Sequence, residues 1–214
     1  MFVLSIWQKI ESLRDFTWRH KITPYRILIA EFMLQRTRAE QVEPVYTQFI
    51  KRYPTIVSLS KAKTKEVARY TKHLGIHWRA KHFVTAAKFI VKKYKGRIPA
   101  KREKLLAIPG VGEYVAGAIL TVAFQKPEWV IDSNIARFLN RYHGLGLQGE
   151  IRRKKEIIEL SKQFFKHNNT RKLLFSILDF TALVCLPRNP LCAKCSLKKR
   201  CKYSGSLELE ERQW

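Results

Sequence analysis

An all-α fold is what this 214-residue chain predicts, and three observations carry that prediction. Apolar residues recur at helical spacing along most of the sequence, strand-period alternation is scarce, and glycine or proline break signals separate the periodic segments. With 9 Gly, 8 Pro, no low-complexity tract and no repeat, the chain reads as one compact unit or two interleaved lobes.

Taken in order, Phe2, Ile6 and Ile10 recur at i, i+4 and open the chain with a helical segment. After Pro24, the residues Ile27, Ile29, Ala30, Phe32, Met33 and Leu34 make a nearly all-apolar helix, as expected for one buried at the centre of a bundle. Further helices are predicted at about 38–52, 64–73, 78–94, 101–107, 113–124, 133–142, 150–167 and 170–184. The breaks between them are Tyr53-Pro54, Leu74-Gly75, Gly96 with Pro99, Pro109-Gly110-Val111-Gly112, Lys126-Pro127, and the run from Gly144 to Gly149. Charged residues interrupt every apolar stretch before it reaches the ~20 residues of a spanning helix, so a soluble protein is expected.

Charge narrows the partner. Lys plus Arg number 42 against 17 Asp plus Glu, a formal net charge of +25. A field of one sign this strong disfavours self-association, which predicts a monomer, and attracts a polyanion. Nucleic acid leads, an anionic membrane surface is the weaker alternative, and a lysine-rich or thermophilic proteome would explain the lysines but not the size of the excess.

The cysteines narrow it further. All four fall in Cys185-x6-Cys192-x2-Cys195-x5-Cys201, among the basic residues Arg188, Lys194, Lys198, Lys199, Arg200 and Lys202. A structural zinc site usually uses two short knuckles, and only Cys192 and Cys195 form one here. Disulfides suit a small secreted domain, whereas this chain has no signal peptide and is long enough to bury a core, so reduced thiols and a cytoplasmic, nucleoid-associated location are expected. Four thiolates are also the usual ligand set of an iron–sulfur cluster. The spacing resembles the cluster loop of the endonuclease III and adenine glycosylase families of DNA repair enzymes, which favours one 4Fe-4S cluster over zinc.

Two more motifs precede the loop. Leu105 to Ile119 reads as helix, Pro109-Gly110-Val111-Gly112 turn and helix; the glycines allow close approach, and free N–H groups at the second helix's start can receive a phosphate. Such a hairpin holds DNA backbone without reading sequence, although a lone P-G-V-G could be an ordinary turn. Asp132 follows Tyr114 by eighteen residues and stands at the start of a helix, where Asp132 or Ser133 alone could equally be a simple N-cap.

With hairpin, aspartate and cysteine loop in this order, the chain resembles the helix-hairpin-helix DNA glycosylase superfamily from about Ile27 to Cys201. That resemblance implies a six-helix barrel over 23–128, with the hairpin at about 105–124, and a cluster domain from 1–22 with 129–214. It also implies double-stranded DNA as partner, lying between the lobes with Asp132 at the mouth, and a monovalent cation at the hairpin. Asp132 would serve the displacement of a flipped base from C1′, because a carboxylate stabilises oxocarbenium-like charge and can deprotonate water. The lysine that forms a Schiff base in bifunctional relatives is replaced here by Tyr114, which cannot form an imine, so a monofunctional glycosylase is expected.

Glu31-Phe32-Met33-Leu34-Gln35-Arg36-Thr37 resembles the segment that carries a catalytic glutamate in adenine glycosylases, with Glu31 in its place. A carboxylate on an apolar helix could protonate a leaving base, unless it merely pairs with Arg36 or Arg38. The adenine enzymes usually carry a further C-terminal domain, whereas thirteen residues follow Cys201 here, and their aromatic motif after Leu-Gly is altered to Leu74-Gly75-Ile76-His77-Trp78-Arg79-Ala80. Glu31, Arg36-Thr37, Tyr114 and Asp132 together are similar to the archaeal thymine-DNA mismatch glycosylases, which act on thymine or uracil opposite guanine. In that similarity Arg36 fills the gap left by the flipped nucleotide, with Gln35, Thr37, His77 and Trp78 beside the DNA; a plain phosphate contact is the simpler role for Arg36. Adenine removal, an endonuclease III-like lyase and a non-catalytic DNA-binding module are the rival readings.

Overall fold

The computed structural model describes residues 14–75 and 79–211, so the segment with Phe2, Ile6 and Ile10, and the pair His77 and Trp78, lie outside the described residues. Among the described residues the regular structure is entirely helical, and none of the helices is long and apolar enough to cross a membrane. The chain divides into two units, Asp15–Lys126 and a second made of Arg14 with the chain from Pro127 onward.

In the first unit, α1 (Pro24–Leu34) starts where the Thr23 hydroxyl accepts the Arg26 N–H and Pro24 occupies the first turn. Tyr25 and every residue from Ile27 to Met33 are buried, as the apolar run predicts. Helix α2 (Ala39–Arg52) buries Val42, Tyr46, Phe49 and Ile50 on one face, packing against α1. The short α3 (Ile56–Ser60) begins at a capping box between Thr55 and Ser58. Next come α4 (Thr64–Thr71) and α5 (Ala80–Tyr94), and α5 lies against α3 and α4. Helices α6 (Arg102–Leu106) and α7 (Glu113–Ala118) form the hairpin, and α7 continues as a π-helical turn, Ile119–Ala123, that packs with it on α1. An aromatic cluster ties these elements: Phe83 meets Phe32 edge-on at 5.3 Å and Phe49 at 5.5 Å.

This unit begins at Asp15, earlier than the expected boundary between 22 and 23. Phe16 stacks on Trp18 at 4.7 Å, Trp18 meets Tyr46 of α2 edge-on at 5.5 Å, and Thr17 donates from its N–H and Oγ1 to Glu43. These contacts bind residues 16–18 to α2.

In the second unit, α8 (Ser133–His143) packs against α9 (Lys155–Phe165), α10 (Thr170–Leu183) and α11 (Lys202–Glu211). Ile135, Ala136, Phe138 and Leu139 are its buried side chains. The stretch predicted as one helix over 150–167 is split: a 3-10 turn, Ile151–Arg153, ends at extended Lys154 before α9 begins. A buried Asp179 on α10 accepts from the Arg14 backbone N–H and Nε, both at 2.9 Å.

Candidate active site and cysteine centre

Asp132 is the N-cap of α8. Its Oδ1 accepts the Ile135 N–H at 2.7 Å and its Oδ2 accepts the Asn134 Nδ2 at 3.0 Å. Both carboxylate oxygens are therefore fixed while the residue keeps part of its surface accessible. Capping and chemistry do not compete here, since an oxygen that accepts one N–H keeps a further lone pair. Desolvation raises the Asp132 carboxyl above its ordinary 3.8, against the opposing pull of the Ile135 and Asn134 hydrogen bonds and of Arg137.

A chain of contacts runs from this aspartate to the cysteine loop. Asn134 Oδ1 accepts from Arg137 Nη1 at 2.8 Å, and Arg137 Nη2 donates to the carbonyls of Thr181 (3.1 Å) and Cys185 (2.8 Å). One turn on, Arg141 Nη1 donates to the Leu186 carbonyl at 2.6 Å and reaches Cys185 Sγ at 3.8 Å, Nη2 donates to the Pro187 carbonyl, and the guanidinium lies 4.8 Å from the Tyr203 ring. The charge on Arg137 is disfavoured by burial and favoured by its neighbours Cys185 and Asp132. Sequence reading missed all three residues, although Asn134, Arg137 and Arg141 stand at i, i+3, i+7 on one face of α8.

Cys185, Cys192, Cys195 and Cys201 line one pocket, walled by Phe138, Phe180, Val184 and Leu197. All four are free thiols, and among the described residues no three His, Cys, Asp or Glu side chains converge closely enough for a single metal ion. Burial, and then the neighbouring cysteines, push the Cys192 thiol up; burial dominates at Cys195 as well. Four thiols gathered around one pocket beside Arg141 fit a cationic group with several metal atoms.

The remaining candidates belong to the first unit. Glu31 is buried on α1, 7% exposed, among Phe32 and Met33. Tyr114 is half-buried in the first turn of α7, and α7 packs on α1, so the structure brings these two helices together. Gly112 caps α7 without a side chain, and Gly110 adopts φ +84° in the turn closed by the Val111 N–H to the Ile108 carbonyl. A Cβ at Gly110 would lie 3.4 Å from both the His82 Cβ on α5 and the Phe32 Cζ on α1. At the end of α1, Gln35 leaves the helix, exposed Arg36 takes φ +61°, and the Thr37 N–H donates to the Leu34 carbonyl. Arg79, just before α5, donates from Nη1 to the Gln35 carbonyl and Oε1, each at 3.1 Å. The hairpin turn, the start of α5 and the Gln35–Thr37 turn are thus linked through His82, Phe32 and Arg79.

Comparison with known proteins agrees with this arrangement. Residues 29–170 match the model of the HhH-GPD superfamily base excision DNA repair proteins. A thymine/uracil-DNA glycosylase of Methanothermobacter thermautotrophicus is 34% identical over 94% of this chain and 90% of its own length. A thymine-DNA glycosylase of Aeropyrum pernix is 36% identical over 92% of this chain and 90% of its own. The solved structure of a thermostable thymine-DNA glycosylase superposes with a TM-score of 0.85 at 33% identity, covering 95% of this chain and 94% of that one. With a family match across most of its length and relatives above 30% identity on either side of it, the chain belongs to the HhH-GPD superfamily of base excision DNA repair proteins.

Proposed function

We propose that this protein is a monofunctional DNA glycosylase that hydrolyses the N-glycosidic bond of thymine or uracil mispaired with guanine, after flipping the base out of the duplex. The observation that carries the chemistry is the Asp132 carboxylate, pinned through both oxygens at the start of α8. The substrate class is supported by the two relatives named for thymine or uracil, each aligned over nearly its whole length.

In this reading the C1′–N1 bond breaks with its electron pair moving to the departing base, and positive charge grows on the sugar. Asp132 stabilises that charge and orients water, whose oxygen bonds to C1′ while its proton passes to the carboxylate. Burial on an apolar helix suits Glu31 to meet the leaving base as proton donor or hydrogen-bond partner. Tyr114 takes the position where an amine would form an imine, so the product keeps an intact strand with an abasic site. The hairpin's side-chain-free cap at Gly112 supports backbone-phosphate holding, with a monovalent cation at the turn as part of the same reading. Exposed Arg36 fills the vacated stack, assisted by Gln35 and Thr37.

Cys185, Cys192, Cys195 and Cys201 would hold a 4Fe-4S cluster, which supplies rigidity to the loop rather than bond-breaking chemistry. Arg137 and Arg141 then orient the loop's carbonyls and thiols on α8.

The test is single-turnover base release from duplexes containing G·T, G·U, A·G and A·8-oxoguanine, each developed with and without alkali. Strand breaks only after alkali, at G·T and G·U, are expected. Release confined to the adenine duplexes would replace the substrate assignment, and breaks without alkali would remove the role given to Tyr114.

A further inference from the structure

Resting on the reading of Arg36 as the gap-filling residue, we infer that Arg79 is a positioning residue for base flipping: it holds the Gln35–Arg36 turn in the shape that presents Arg36 to the duplex. Three observations meet at this turn. The first is backbone geometry. Helix α1 ends at Leu34, Gln35 turns away with ψ 109°, and Arg36 sits at φ +61°. A left-handed residue other than glycine is strained, and glycine would fit here without that strain. An exposed arginine kept at a glycine-favouring position points to a use for its side chain.

The second is the clamp. Arg79 lies 44 residues along the chain and is 8% exposed. Its Nη1 donates to both the main-chain carbonyl and the side-chain Oε1 of Gln35. Gripping both groups of the residue just before Arg36 fixes the peptide plane from which Arg36 departs. A buried guanidinium is expensive to desolvate, and a helix C-terminal carbonyl is a favourable place to direct it.

The third is like charge. The positive charge on Arg79 is disfavoured chiefly by burial and then by Arg36. A phosphate brought to Arg36 would offset that like charge. The turn is therefore shaped before DNA arrives, which lowers the ordering cost of insertion.

The experiment uses the full chain and a G·U duplex whose uracil has a hydrolysis-resistant 2′-fluoro sugar, with 2-aminopurine beside it to report displacement of the base. Fluorescence amplitude is read at saturating protein for the parent, Arg79→Met, Arg79→Lys, Arg36→Ala and the Arg36→Ala/Arg79→Met pair, with affinity for a matched duplex measured in parallel. Losing both contacts should lower the flipping equilibrium in Arg79→Met about tenfold, with matched-duplex affinity within about twofold. Arg36→Ala should fall similarly, the pair should fall no further, and Arg79→Lys, which keeps the charge and stem, should recover part of the signal. Losses that multiply in the pair, or an Arg79→Met protein that loses matched-duplex binding and flipping together, would overturn the inference. If Arg79→Met does not fold, Arg79→Lys decides it: a parent-like amplitude overturns the inference, and an intermediate one sustains it. An Arg36→Ala protein that flips uracil as the parent does would instead remove the gap-filling role of Arg36, and a parent with no flipping signal would remove the glycosylase reading itself.

Discussion

Replacing Arg137 with alanine tests the link between the aspartate and the cysteine loop most directly. The guanidinium makes three hydrogen bonds, to Asn134 Oδ1 and to the carbonyls of Thr181 and Cys185. The Thr181 carbonyl belongs to the last turn of α10, where no intrahelical donor is available, and the Cys185 carbonyl belongs to the first cysteine of the loop. Bonds of this kind contribute about 1–1.5 kcal/mol each, and truncation leaves half-buried acceptors behind, so a loss of about 3–5 kcal/mol is expected. At roughly 2–4 °C per kcal/mol for a chain of this size, the unfolding midpoint should fall by about 10 °C. Asn134 loses the partner that orients its amide, and with it the donor to Asp132 Oδ2 is no longer held. Circular dichroism melts, iron per chain after purification and single-turnover release from G·U duplex are the three measurements. All three should fall together. A midpoint within about 2 °C of the parent, below what a single lost hydrogen bond would produce, with iron and rate unchanged, would refute the reasoning.

Asp132→Asn should abolish turnover, by at least about a hundredfold, while the amide oxygen still caps α8. Because burial raises the Asp132 carboxyl pKa, the stability tied to that group is fully present below its ordinary 3.8 and is lost as pH rises through the raised folded value. The Asn variant escapes that loss, so it should melt no lower than the parent at neutral pH, and a clearly lower midpoint would contradict the assignment. The same shift places the rising limb of the parent's pH–rate profile above 3.8, which single-turnover rates from pH 4 upward would reveal. Gly110→Ala forces a side chain into φ +84° against His82 and Phe32; about 1–2 kcal/mol of strain should distort the turn and weaken binding to undamaged duplex about tenfold by anisotropy titration. Affinity for that duplex should also fall steeply with salt, with a log–log slope of about −4 or steeper, as five phosphates at roughly 0.9 each give. A flat slope would mean that the net charge of +25 is not directed at DNA.

What could be read from the sequence was whatever local chemistry determines. Helix α1 was legible because seven consecutive buried residues, Ile27 to Met33, leave no surface face, and α10 because its apolar residues keep one period for fourteen residues. The five residues of α3 are too few to establish a period, and only the Thr55–Ser58 capping box marks its start. Helix α11 carries Gly205 between two serines, against helix propensity. The break at Lys154 is a backbone choice that no glycine or proline announces.

The candidate site divides along the same line. Asp132, the hairpin glycines and the cysteines were visible because their chemistry demands particular residue types at short spacing. Arg137, Arg141 and Arg79 were not, since each acts across more than forty positions of sequence on carbonyl groups that every residue carries. A backbone acceptor leaves no mark on the residue that provides it. In the proposed reading, the groups that would touch DNA or hold metal are specified by their own identity, whereas the arginines that support Asp132 and Arg36 act largely through main-chain partners. Substitutions at Thr181, Leu186 or Gln35 that keep backbone geometry should therefore leave those carbonyl contacts intact, while truncating the arginines removes the donors those carbonyls accept from.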